Sequence, residues 1–188
     1  MVSPFTVCVY CASGVYEPQY LELATAVGTE LGKRGWQLVS GGGNVSMMGA
    51  VAAATRTAGG RTIGVIPKKL VHREVADTEA DELIVTDTMS ERKQVMASRA
   101  DAFLTLPGGI GTLEELFETW TAAYLGMHDK PVVLLDPFGH FDELLAWLDR
   151  LRGTGFVSQT ALDTLVRTTV VSEALDECLR GFTERTNR

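Results

Sequence analysis

What this chain has little of narrows its reading first. Its 188 residues include only three cysteines and three histidines. So few thiols suit a reducing compartment and rule out a disulfide framework. Cys8 and Cys11 form a C-x-x-C, but no second pair completes a zinc site and no thioredoxin-like helix start follows. They read as two cysteines near a strand end, and Cys178 as filler in a terminal helix. His72, His128 and His140 are scattered, without a cysteine or acid at ligand spacing, so no metal is expected. No run of about 18 apolar residues is present, which excludes a membrane-spanning helix. The opening MVSPFTVCVY lacks the charged start and apolar stretch of a signal peptide. A cytoplasmic location with no membrane partner is expected. Positive charge is in deficit, with a net charge of −7. Such a surface does not attract nucleic acid, and at long range it repels small anions. Any phosphate-bearing ligand must be held by local groups.

What is present is an alternation. Hydrophobic residues make up 45% of the chain and are spread evenly, as in one globular domain spanning 1–188. Short, continuously apolar runs at 6–10, 36–40, 61–67, 82–86, 101–106, 131–135 and 168–171 read as strands. Helical spacing is found at 18–34, 47–58, 90–99, 112–125, 141–151, 158–165 and from Ser172 onward. The polar end TERTNR is expected to fray. Continuously apolar strands separated by helices predict an α/β fold, a doubly wound, Rossmann-like parallel sheet with helices on both faces.

Such sheets bind ligands outside the carboxyl ends of their strands. Three strand-to-helix junctions stand out: CASG at 11–14, which includes Ser13, SGGGNVSMMG at 40–49, and PGGIGT at 107–112. Glycines there let backbone N–H groups approach an anion, and the following helix adds its positive end. Gly41, Gly42 and Gly43 in one loop, and Gly108, Gly109 and Gly111 in the other, are candidate phosphate or sugar contacts. The dinucleotide fingerprint fails, because Lys68 and Lys69 stand where an acid would hold the ribose. The phosphate-loop signature fails for want of a following G-K-[ST], and no G-x-S-x-G elbow appears. A mononucleotide or sugar phosphate remains.

Two reactive side chains lie at these junctions. Thr112-Leu-Glu-Glu115 matches a capping box, in which Glu115 only satisfies a helix end; otherwise Glu115 is a carboxylate available for chemistry. Glu114 and Glu118 should be more exposed. The apolar positions Leu113, Leu116, Phe117, Trp120 and Tyr124 are core or interface. In TMSERKQVMASR, Arg92, Val95, Met96 and Arg99 share one helix face. Arginines there either form structural ion pairs or sit over a phosphate or sugar hydroxyl. Glu74, in VHREVAD, lies on a loop after another strand.

PGGIGTLEE closely resembles the P-G-G-x-G-T-x-x-E motif of the Lonely guy (LOG) family, cytokinin riboside 5′-monophosphate phosphoribohydrolases often labelled lysine decarboxylases. SGGGNVSMMGAVA resembles that family's glycine loop, and ERK at 91–93 its arginine–lysine pair. The resemblance spans roughly Val7 to Val157. It implies Arg92 and Glu115 as the catalytic pair, with Lys93 beside Arg92. It also implies a substrate contact at Glu74 and a nucleotide-binding segment over Gly109, Ile110, Gly111, Thr112, Leu113, Glu114 and Glu115. The implied partners are a nucleoside 5′-monophosphate and a second copy of the chain, the homodimer drawing on the Leu116–Trp120–Tyr124 face. No cofactor is implied. Ser46 and Ala12 replace glycines usual in the family. The decarboxylase label lacks support, since no lysine is placed to hold pyridoxal phosphate. A non-catalytic nucleotide or molybdenum-cofactor carrier on the same fold is the alternative.

Overall fold

The computed structural model describes residues 4–14, 17–72 and 75–186. Seven strands form one sheet: β1 (Thr6–Tyr10), β2 (Gln37–Ser40), β3 (Arg61–Pro67), β4 (Glu82–Thr86), β5 (Ala102–Thr105), β6 (Val132–Leu135) and β7 (Leu165–Thr168). The helices are α1 (Pro18–Lys33), α2 (Ser46–Thr57), α3 (Met89–Arg99), α4 (Ile110–Tyr124), α5 (Asp142–Gly153), α6 (Gln159–Asp163) and α7 (Val171–Thr186). The strand order is β4-β3-β2-β1-β5-β6-β7, and every pairing is parallel. The chain winds outward from β1 to β4, then returns to the other side of β1 as β5. The order therefore reverses between β1 and β5, and a crevice opens there outside the strands' carboxyl ends.

Each central strand is covered on both faces, so its side chains alternate between two cores. Val7 and Val9 of β1 join Leu104 of β5 and Val133 of β6 beneath α1, α2 and α7. Cys8 and Tyr10 join Phe103, Val132 and Leu134 beneath α3, α4 and α5. This is why these strands read as unbroken apolar runs.

Most boundaries shift by one or two residues from the sequence reading, and two of the differences have consequences. The last strand, expected at 168–171, is Leu165–Thr168. As an edge strand it is only partly buried and carries a charged residue, so its pattern is weak; the apolar pair Val170–Val171 leads into α7 instead. Helix α4 was expected to start at Thr112 but starts at Ile110, with Gly109 as its N-cap and no side-chain cap. Thr112 therefore lies inside the first turn, and no capping box joins it to Glu115. The same S/T-x-x-E pattern does cap α3. Thr88 Oγ1 accepts from Glu91 N–H at 3.1 Å, and the Glu91 carboxylate accepts from Asp87 N–H at 2.8 Å.

Candidate active site

A cleft of about 390 Å³ occupies the β1/β5 crevice. One wall is the loop after β1, Cys11 to Gly14; the opposite wall is the start of α4, Gly109 to Thr112. The walls are tied by Ala12 N–H donating to the Pro107 carbonyl at 3.2 Å. Met48 of α2, Leu70, and Met89 and Arg92 of α3 close the sides, and Glu115 of α4 completes it.

The first turn of α4 presents N–H groups that have no partner within the helix. Two of its first positions, Gly109 and Gly111, carry no side chain to cover them. Gly108 is required for packing, since a β-carbon there would lie 2.1 Å from Thr112 Oγ1. Thr112, buried, fills the space against Gly108 rather than capping the helix.

Arg92 is only 5% exposed. Its Nε donates to the Val65 carbonyl at 3.0 Å and its Nη2 to the Gly41 carbonyl at 2.9 Å. Nη1 lies 3.8 Å from Met89 Sδ at the cleft. Carbonyls at the ends of β2 and β3 thus hold the guanidinium plane in place. Glu115 is half-buried one turn into α4. Its charge, after burial, raises the pKa values of Cys8, Cys11 and Tyr10. Arg92 acts on Cys8 in the opposite sense. A fixed cation and a carboxylate from two helices thus both bear on the end of β1.

The candidate residues do not all converge. Ser13, Gly109, Ile110, Gly111, Thr112, Arg92 and Glu115 line the cleft. Gly41, Gly42 and Gly43, expected as ligand contacts, instead organise their surroundings. Gly41 accepts from Arg92, Gly42 accepts from Asp77 N–H at 2.9 Å, and Gly43 bridges to Ala76. Ser46, which the resemblance sets in place of a usual glycine, sits at φ 53°, a conformation costly for a residue with a β-carbon. Lys93 Nζ is paired with both Glu114 and Glu118, joining α3 to α4. Leu113 packs against the core. Arg99, expected over a ligand, pairs with Glu82 at 2.7 Å, at the amino end of β4 and away from the cleft. Leu116 and Trp120, expected on a partner surface, are 1% and 6% exposed and belong to the chain's own core. Glu74 lies outside the described residues. Sequence reading missed His140, whose Nε2 lies 2.9 Å from the Gly108 carbonyl, and Asp136, which folds the turn carrying it; a lone histidine in D-P-F-G-H gives no motif signal.

A doubly wound parallel sheet with a glycine-lined helix start, an arginine and a carboxylate at its topological switch point defines an α/β protein with a small-molecule site of the nucleotide-binding kind. Residues 48–178 match the family described as "Possible lysine decarboxylase", and the chain belongs to this family, the LOG family. It is 60% identical over 177 residues to the cytokinin riboside 5′-monophosphate phosphoribohydrolase of Mycobacterium marinum, covering 94% of this chain and 95% of that protein. The protein of the same name in Mycobacterium tuberculosis is 60% identical over 174 residues, 93% of each chain. Cytokinin riboside 5′-monophosphate phosphoribohydrolase LOG1 of Arabidopsis thaliana is 44% identical over 161 residues, 85% of this chain and 76% of that one. The molybdenum cofactor carrier protein of Chlamydomonas reinhardtii superposes with a TM-score of 0.72 at 22% identity, covering 97% of this chain and 99% of that one. That likeness establishes the fold alone.

Proposed function

We propose that this chain hydrolyses the N-glycosidic bond of N6-substituted adenosine 5′-monophosphates, and of AMP, releasing the free base and ribose 5-phosphate. The observation that carries this reading is the meeting of Arg92 and Glu115 in one cleft beside the uncovered start of α4. The names of relatives at 60% identity support it over the carrier alternative.

As the bond between the base and the ribose anomeric carbon breaks, its electrons leave with the base and the ribose gains oxocarbenium character. Water adds to that carbon; one of its protons ends on the base. The Glu115 carboxylate stabilises the cationic sugar or orients the water. Arg92, held by two carbonyls, orients the ribose or phosphate without having to reorganise during the reaction. The α4 start takes the 5′-phosphate, so remote binding energy positions the reacting carbon.

The active species we propose is a cytoplasmic homodimer. Its surface is the exposed apolar set Ile110 (88%), Leu125 (57%), Met127 (74%) and Phe156 (83%), with Tyr124 beside a groove between α4 and α5. The deciding experiment is incubation with AMP and its N6-alkylated analogue, followed by chromatography. Free base and ribose 5-phosphate are expected, with the matching nucleosides cleaved far more slowly. Tight nucleotide binding without turnover would establish the carrier instead.

A further inference from the structure

The turn after β6 is built around a buried acid. Asp136 is 1% exposed, and its carboxylate accepts from the main-chain N–H groups of Phe138 at 3.3 Å, His140 at 2.9 Å and Phe141 at 2.8 Å. Three such bonds to one carboxylate fix the whole turn D-P-F-G-H-F. The ring of His140 is held edge-on by Phe141, at 4.7 Å between centroids, and by Tyr20 at 6.3 Å. This delivers Nε2 to the Gly108 carbonyl at 2.9 Å, across 32 residues of chain. A carbonyl can only accept, so Nε2 carries the proton.

Gly108 C=O and Gly109 N–H belong to one planar, trans peptide, and they point in opposite directions. A glycine–glycine pair has no side chains to resist rotation of that peptide, so an outside contact must set it. We infer that His140 is a positioning residue for the phosphate end of the cleft. By holding the Gly108 carbonyl on the side away from the ligand, it turns the Gly109 N–H toward the cleft that Gly109 lines. That N–H then joins those of the first turn of α4. The inference rests on the phosphate placement proposed above. Nothing in the reaction requires the histidine to touch substrate.

The test uses His140→Ala and His140→Gln in the full chain. Glutamine can offer an amide N–H to the same carbonyl. Binding of ribose 5-phosphate is measured by calorimetry, and turnover of AMP by base release. Parent protein that neither binds ribose 5-phosphate nor cleaves AMP would refute the phosphate placement itself, separately from the histidine. With an active parent, His140→Ala should weaken ribose 5-phosphate about tenfold and raise KM for AMP about tenfold. Its kcat should stay within about threefold and its melting temperature within about 2 °C. His140→Gln should recover most of the lost affinity. Unchanged ribose 5-phosphate affinity in His140→Ala would overturn the assignment. So would a fall in kcat at constant KM, a large drop in melting temperature, or a glutamine variant as impaired as the alanine one.

Discussion

Gly41 and Arg92 fit each other as carbonyl and guanidinium. The Gly41 carbonyl accepts from Arg92 Nη2 at 2.9 Å, and a β-carbon on residue 41 would lie 1.8 Å from that same nitrogen. Gly41→Ala should therefore expel the guanidinium from its seat. We expect kcat/KM to fall roughly a hundredfold, the usual penalty for misplacing a catalytic group by about 1 Å. Because both changes act through one group, the double variant Gly41→Ala/Arg92→Ala should be no slower than Arg92→Ala alone. Additive losses in steady-state kinetics would show that residue 41 acts by another route.

Glu115 has no capping duty, since α4 begins five residues before it. Glu115→Gln should leave the melting temperature within a few degrees. The rate should fall by roughly a hundredfold or more, because an amide cannot stabilise a developing cation. A variant within about threefold of the parent in AMP cleavage would move the chemistry to another acid.

Lys93 links α3 to α4 through Glu114 and Glu118, and hydrogen bonds to these two raise its pKa above the ordinary 10.5. The partners are largely exposed, so the linkage contributes no more than about 1 kcal/mol. Lys93→Met should lower the melting temperature by about 2–4 °C at neutral pH and shift KM less than threefold. A raised lysine pKa stabilises fully below the unfolded value and is lost as pH rises through the folded one. The gap between parent and variant in thermal melts should therefore close above pH 10.5. A tenfold rise in KM would instead place Lys93 on the substrate.

Burial pushes all three thiols upward in pKa, Cys178 to about 12, and Cys8 and Cys11 are pushed further by Glu115. Thiolate is the reactive form. At pH 8 a chromogenic thiol reagent should therefore count none in the native protein within minutes, and three in guanidinium. Fast reaction of one native thiol would expose Cys11, the cysteine that lines the cleft.

Phe156 is 83% exposed, and Phe117, Trp120 and Tyr124 line the groove beside it. Phe156→Glu should convert a dimer at micromolar concentration into a monomer by light scattering while leaving the circular dichroism of the fold unchanged. A parent protein that is already monomeric would refute the proposed interface.

The central strands were legible because burial on both faces leaves an unbroken apolar run, as in Thr6–Tyr10. The edge strand β7 was misplaced because Arg167 cuts its apolar stretch to Leu165–Val166, whereas β4, the other edge, keeps Leu83, Ile84 and Val85 in a row and was read at its observed bounds. The convergence of Arg92 and Glu115 on one cleft was legible because both follow strand ends on the carboxyl side of the sheet. The role of Gly41 was not, because a main-chain carbonyl acting as acceptor leaves no trace in residue type. Thr112 misled because S/T-x-x-E specifies a possible cap without saying where the backbone leaves the helix. Thr88 and Glu91 carry the same letters and do form the cap.

The two layers of helices contribute unequally. Arg92 and Glu115 both stand on the layer of α3 and α4, cross-braced by Lys93. Among the described residues, the opposite layer of α1, α2 and α7 lends the cleft Met48 alone and otherwise fills the second core. For protein engineering this makes α7, and α1 apart from Tyr20 beside His140, ballast. They are open to redesign for solubility or heat tolerance, whereas a repacked α3–α4 seam would detune the active site even where the fold survives.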